Sequence, residues 1–399
     1  MSKRNKPLNT SIIIAALSQS FPLFSTFILL ITLIVYLYIA QIYKSIDNKI
    51  KFLHINLILI FGKIFCNSFM IKVAVVNGGY SDEYVISLKS AQLVYDNLDR
   101  EKYEVHKVCI LNEGWFALDE TEKRYEIDKR DFSFIKNDEK YTFDVAFNII
   151  HGTPGEDGHM QAYWELIDLP YTGCSFYQSA LTFNKKDTLS VLSKYNIPKA
   201  KSIYLTQGEV INKELIVKEL GLPCFVKPNQ SGSSLGVTKV KNIEDFDVAF
   251  KNAFAEDSEI LIESELKGRE ISVGVIQWKD EIKVLGITEI ISETEFFDYD
   301  AKYNGKSKEI TPADFDKDAE NHIKEMAIKV YKSLGMRGFS RTDYIVVDGI
   351  PHFIEMNTLP GLSPASILPQ QALHSQIAFK DLFDNEIQIA LKQKPIWKK

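Results

Sequence analysis

The chain has 399 residues, 25% charged and 45% hydrophobic, with a formal net charge of −6. That length calls for two or three domains rather than one core, and the acidic balance argues against nucleic acid as a partner. Four cysteines (Cys66, Cys109, Cys174, Cys224) without CxxC or Cys/His spacing argue against zinc and disulfides and for a reducing cytoplasm.

The first 69 residues differ from the rest. They carry seven Lys/Arg and one Asp, which leaves −12 on the remaining 330 residues. Phe21 to Ala40 is an uncharged run of twenty residues, long enough to span a bilayer, and Phe52 to Phe69 is a second apolar run broken by His54, Asn56 and Lys63. Basic residues lie on both sides of the first run, so charge assigns no orientation, and no small-residue cleavage site marks a signal peptide. Met70 then opens MIKVAVVNGGYSDEY, which reads as the start of a cytoplasmic enzyme. Residues 1–69 are therefore expected to be a start-site artefact or dispensable, with a membrane anchor as the alternative.

From Met70 the pattern is α/β. Lys72 to Asn77 reads as a strand, Gly78-Gly79 as a turn, and Ser81 to Asn97 as a helix with Val85, Leu88, Leu93 and Leu98 on its apolar face. A strand, a glycine turn and a helix N-terminus make a place for small polar ligands. Glu83 stands there, either to receive a substrate ammonium or to complement the helix dipole. Phe143 to Ile150 is a second strand, ending at HGTPGEDG, where three glycines and a proline in eight residues specify a tight loop on the ligand side of the sheet. His151 is placed to hydrogen-bond a substrate or to serve a structural purpose.

A helix begins at Asn184-Lys185-Lys186-Asp187 and ends near Asn196-Ile197-Pro198, and a domain boundary is expected beside it. Cys224 to Pro228 is a strand carrying Lys227, followed by NQSGSSLGV. Small residues let backbone N–H groups approach phosphate oxygens, but GxxxxGK[ST] is absent, so the segment reads as a β-hairpin closing over nucleotide phosphates rather than a P-loop. Ile260 to Glu263 and Ile271 to Gln277 are further strands.

Phe339 to Ser366 has the densest chemistry. With a three-residue turn at Asp348 to Ile350, Val347 lies opposite Pro351, Asp343 opposite Glu355 and Arg341 opposite Asn357. Two carboxylates and an amide oxygen on one face suit Mg²⁺ held together with substrate phosphates. A hairpin with a solvated polar face is the plain alternative.

These features resemble the ATP-grasp superfamily. More narrowly, GGYSDEYVISL (78–88), HGTPGEDG (151–158), PYTGC (170–174), FVKPNQSGSSLGV (225–237), FFDYDAKY (296–303) and RTD with EMNTLPGLSPAS (341–366) resemble, in order, the D-alanine:D-alanine ligases of bacterial cell-wall synthesis. The resemblance implies a Rossmann-like parallel-sheet domain over 70–184, which binds substrate, and a two-part ATP-grasp domain. Its smaller phosphate-lid part would be 185–263 and its larger metal-binding part 264–399.

The resemblance also implies roles. Lys185 and Lys227 hold ATP phosphates, Glu263 and Glu270 the adenosine, and Lys302 the γ-phosphate from a loop at 292–311. Asp343, Glu355 and Asn357 bind two Mg²⁺, for which Mn²⁺ can substitute. Glu83 binds the first D-alanine's ammonium in a network with Ser233 and Tyr303. Arg341 and the Gly361 backbone face the oxyanion, and Ser366 takes the second D-alanine's carboxylate. A homodimer is also implied. The sequence departs from the family pattern in Tyr84-Val85, where Arg-Glu is frequent, and in Glu265, where an aromatic often lies beside adenine. A D-alanine:D-lactate ligase and a membrane-tethered nucleotide sensor remain as alternatives, although Tyr303 resembles the D-alanine type.

Overall fold

Residues 71–78, IKVAVVNG, are rich in β-branched side chains and form β1 (Ile71–Gly78) inside a seven-stranded sheet. The computed structural model describes residues 70–81, 83–232, 234–292 and 307–393, and assigns the chain from Ile71 onward to one compact unit. The apolar runs before Met70, and with them Ser233, Lys302 and Tyr303, lie outside the described residues. Among the described residues no helix is long and apolar enough to cross a membrane.

Alternate residues of β1 enter different cores, Val73 and Val75 one, Ala74 and Val76 another. Both faces are covered, as a central α/β strand requires. β1 runs parallel to β2 (Tyr103–Leu111) and β7 (Val145–Asn148), with α1 (Tyr84–Asn97) as the β1-to-β2 crossover. Among the described strands, parallel ladders join only these three. β3 (Gly114–Leu118), β4 (Arg124–Asp128), β5 (Ser133–Lys136) and β6 (Glu139–Tyr141) extend the sheet as an antiparallel meander. Two residues, Asn112 and Glu113, join β2 to β3 and cannot carry a parallel crossover.

α1 begins at Tyr84 rather than Ser81, after Gly78 and Gly79 turn the chain with φ of 100° and 123°. Its inward face matches the expected one at Leu93 and Leu98, which pack into the core, and differs from it one to two turns earlier. Ser87, Ser90, Ala91 and Val94 are buried, whereas Val85 and Leu88 are exposed. Ser87 Oγ accepts from Gly78 N at 2.9 Å and donates to Ile149 O at 2.5 Å, so hydrogen bonds to the strand ends decide how the helix lies.

α2 (His159–Leu166), α3 (Phe176–Phe183) and α4 (Lys185–Ser193) lead onward. Asn184 caps α4 by accepting from Asp187 N at 2.9 Å. α4 ends at Ser193, before the left-handed Asn196. β8 (Ser202–Thr206), β9 (Cys224–Pro228), β10 (Thr238–Val240) and β11 (Glu259–Ser264) form an antiparallel sheet in the order β10-β9-β11-β8. α5 (Lys213–Leu220) and α6 (Phe246–Glu256) share its core through Ile216, Phe246 and Ala253.

β12 (Arg269–Trp278), β13 (Glu281–Ser292), β14 (Ser307–Ile310), β15 (Phe339–Val347) and β16 (Ile350–Asn357) form a third sheet, order β14-β13-β12-β15-β16. α7 (Lys317–Ser333) covers one face, packing Ile323, Ala327 and Val330 with Ile271, Val273 and Val275. α8 (Ile367–His374) and α9 (Phe379–Leu391) complete the described chain. The β15–β16 hairpin turns in two residues, not three: Val347 pairs with Ile350, and Asp348 and Gly349 have φ of 49° and 77°. The missing residue reappears as a bulge at Ile354, so Asp343 still faces Glu355 and Arg341 still faces Asn357.

Candidate active site

Opposite α7, the third sheet is polar. Residues two apart share a face, so Ser272, Asp343 and Glu355 form one row across β12, β15 and β16. Gly274, Arg341 and Asn357 form the next. Asp343 is buried and accepts from Ser272 Oγ at 2.5 Å, from Arg341 Nε and Nη2 at 3.1 Å each, and from Asn357 Nδ2 at 3.2 Å. Asp343 is therefore sequestered, while Arg341, Glu355 and Asn357 are half-buried around it. β14 adds Glu309 on the same side, opposite Ile290. Burial raises its carboxyl above the ordinary range despite the opposing Arg341 charge.

This face floors a cavity of about 310 Å³ that also takes in Glu83, Lys185, Gly361 and Ser366. A second cleft of about 160 Å³ holds Lys227, Glu263, Glu270 and Asp343. Lys185, Ser231 and Glu355 line both. Every described residue given a catalytic, nucleotide-binding or metal-binding role from sequence thus lines one of two adjoining spaces.

Glu83 sits at the N-cap of α1 with its carboxylate between two loops: a methyl placed on Gly152 or Gly232 would come within 3.1 or 3.0 Å of its Oε2. It occupies a helix N-terminus and a cavity wall together, so its two readings are compatible. Lys185 Nζ donates to Ser231 O at 2.7 Å. Lys227 and Glu263 form a buried ion pair. Ser366 stands at the N-cap position of α8 without a side-chain capping bond, its Oγ 2.8 Å from Ser363 Oγ, and a methyl on Gly361 would come within 2.9 Å of it.

His151 is buried, and burial pushes its imidazole down to about 4, so it is neutral at physiological pH. It bonds the Leu359 backbone, and its Nε2 lies 3.2 Å from Ser90 Oγ, which accepts from Leu362 N at 3.0 Å. The ring lines the cavity while fixing the loop that carries Gly361. Glu156, which the sequence reading passed over, also lines it and accepts from Gly152 N at 2.8 Å. Burial and then the Glu83 charge hold its carboxyl well above the ordinary range. Its place in GEDG was the available signal. Glu309 had none, because its relevance depends on β14 pairing back onto β13. Glu265 is turned to an ion pair with Lys239 at 2.8 Å, and Phe225, Leu266 and Ile345 supply the apolar wall of the second cleft.

Residues 72–174 match the family model described as the D-ala D-ala ligase N-terminus, and residues 191–388 match its C-terminal counterpart. The chain belongs to the D-alanine–D-alanine ligase family. The N-terminal ligase segment covers β1 to β7, and the C-terminal segment covers the other two sheets. A D-alanine–D-alanine ligase from Flavobacterium psychrophilum is 64% identical over 327 residues, 82% of this chain and 99% of that one. D-alanyl-alanine synthetase A from Vibrio cholerae superposes with a TM-score of 0.74 at 27% identity, covering 82% of this chain and 99% of its own. The VanG D-Ala:D-Ser ligase from Enterococcus faecalis gives 0.71 at 30% identity, covering 80% and 99%. The ATP-grasp ligase fold expected from the motifs is the fold of these neighbours.

Proposed function

We propose that the protein joins two D-alanines through a D-alanyl phosphate, converting ATP to ADP and phosphate and supplying the dipeptide for peptidoglycan precursors. One observation carries the reading: a cleft lined by Lys227, Glu263 and Glu270 and a cavity containing Arg341 adjoin at Lys185 and Glu355. The ligase names of the relatives favour it over a D-lactate ligase or a sensor.

A carboxylate is a poor electrophile, so its oxygen must first attack the ATP γ-phosphorus, making an acyl phosphate and releasing ADP. Lys185 and Lys227 hold the phosphates and offset anion repulsion, Glu263 and Glu270 orient the adenosine, and Glu83 fixes the first D-alanine by its ammonium. Ser366 and the α8 N-terminus hold the second D-alanine's carboxylate. Its amine attacks the acyl carbon, Arg341 and the Gly361 N–H stabilise the oxyanion, and phosphate leaves as the C–O bond breaks.

Among the described residues no three or more His, Cys, Asp or Glu side chains form a metal cluster. Asp343 and Glu355 with the Asn357 amide nevertheless fit Mg²⁺, which takes one or two carboxylates and fills its shell with phosphate oxygens and water. When bound, Mg²⁺ (or Mn²⁺) supplies charge neutralisation at the phosphates. The reading further places the enzyme in the ATP-containing cytoplasm, as a homodimer, with parts at 70–184, 185–263 and 264–399.

ADP release with Mg·ATP tests it. Release with D-alanine, none with L-alanine, and a dipeptide product are expected; ADP release indifferent to D-alanine would refute it.

A further inference from the structure

α8, which begins just after Ser366, is tied to the polar face through the Gln371 side chain. Gln371 is fully buried, and its Nε2 donates to Ser272 O and to Thr288 Oγ1, both at 2.9 Å. Thr288 lies directly across from Ser272, and its hydroxyl meets Thr311 Oγ1 at 2.6 Å. Ser272 in turn faces Asp343 across the sheet and donates to it. The row thus runs from Thr311 through Thr288, Ser272 and Asp343 to Glu355, and Gln371 grips its centre from the helix.

Two glycines make this approach possible. Gly274 and Gly286 oppose each other in mid-strand, where glycine weakens a sheet and marks close contact. A methyl on Gly274 would lie 2.3 Å from Gln371 Oε1, and one on Gly286 would lie 3.2 Å from its Cγ. A buried side chain with two fixed acceptors holds one rotamer, and hydrogen bonding of that kind fixes an element's position more sharply than apolar packing.

We infer that Gln371 is a positioning residue that sets the distance between the second-substrate end of α8 and the acyl phosphate formed beside Asp343 and Glu355. The inference rests on the proposed ligase reaction. Gln371 touches no reacting atom. It governs whether the amine meets the acyl phosphate before water does, so its loss should uncouple phosphate release from dipeptide formation.

The test uses the full chain as wild type, Gln371→Met and Thr288→Val, with phosphate and dipeptide counted in the same reaction. In Gln371→Met, phosphate released per dipeptide should rise severalfold and the KM for the second D-alanine about tenfold, with the KM for ATP within about twofold. A purely structural defect would lower all rates with the ratio unchanged, and that result overturns the inference. If Gln371→Met does not fold, Thr288→Val decides, because it keeps Gln371 and removes one acceptor. A smaller rise in the ratio supports the inference, and no rise overturns it. A wild type that makes no dipeptide would instead refute the ligase reading.

Discussion

Arg341 and Asp343 show how much chemistry two residues on one strand can concentrate. Burial alone disfavours the Arg341 charge, but Asp343, Glu355 and Glu309 together outweigh it and keep the guanidinium ionised. Removing such a donor from a developing oxyanion costs on the order of 10²-fold or more in rate. Arg341→Ala and Glu355→Ala should each lose at least about 10²-fold in turnover with the far-UV circular dichroism unchanged. A variant keeping more than about a tenth of wild-type turnover would contradict the role given to that residue. These positions were legible from sequence because carboxylate, amide and guanidinium groups recur at even spacing on two strands. Glu309 and Ser272 were not, since only strand pairing brings them to the same face.

At the scale of elements, glycines separate two kinds of constraint. Gly349 has φ of 77° but open space around a methyl, whereas Gly78, at φ of 100°, would place one 2.3 Å from the Ile110 carbonyl oxygen. Gly349→Ala should therefore cost about 1 kcal/mol, the left-handed penalty alone. Gly78→Ala should cost at least about 2 to 3 kcal/mol, because backbone must move. Urea unfolding of both variants checks the order; equal losses would mean that the β1–α1 corner yields more easily than its geometry implies. Strand positions were readable from β-branched runs, and the hairpin register from its polar residues. The inward face of α1 was readable only in Leu93 and Leu98, because Ser87, bonded at the ends of β1 and β7, and Ser90, bonded to His151 and the Leu362 backbone, turn inward while Val85 and Leu88 stay exposed. The two-residue turn escaped for a related reason: the bulge at Ile354 restores the register that a longer loop would have given.

The unit from Ile71 onward is stitched where residues 173–174 meet the start of β15 and α9. Arg337 Nε donates to Gly173 O at 2.6 Å, and Cys174 Sγ contacts Arg337 O at 3.2 Å. Glu386 of α9 is fully buried against Gly338. Burial pushes its carboxyl from 4.5 up to about 8, against the opposing pull of the Arg337 charge. Between those two pH values the folded protein keeps a proton that the unfolded chain has lost. Its stabilising contribution is complete below pH 4.5, declines as pH rises toward 8, and is level above that. Glu386→Gln should flatten this dependence. Urea unfolding at about pH 5 and about pH 8 should show wild type losing on the order of 1–3 kcal/mol more than the variant. Parallel losses in the two would contradict a protonated Glu386. No local pattern announced this joint, because an isolated Glu on an amphipathic helix reads as solvent-facing. Above all these contacts stands the acyl phosphate itself. With both carboxylate oxygens of D-alanine labelled by ¹⁸O, the phosphate released during dipeptide synthesis should carry one labelled oxygen, handed over when the amine displaces it. Phosphate without label, alongside dipeptide, would contradict the central claim.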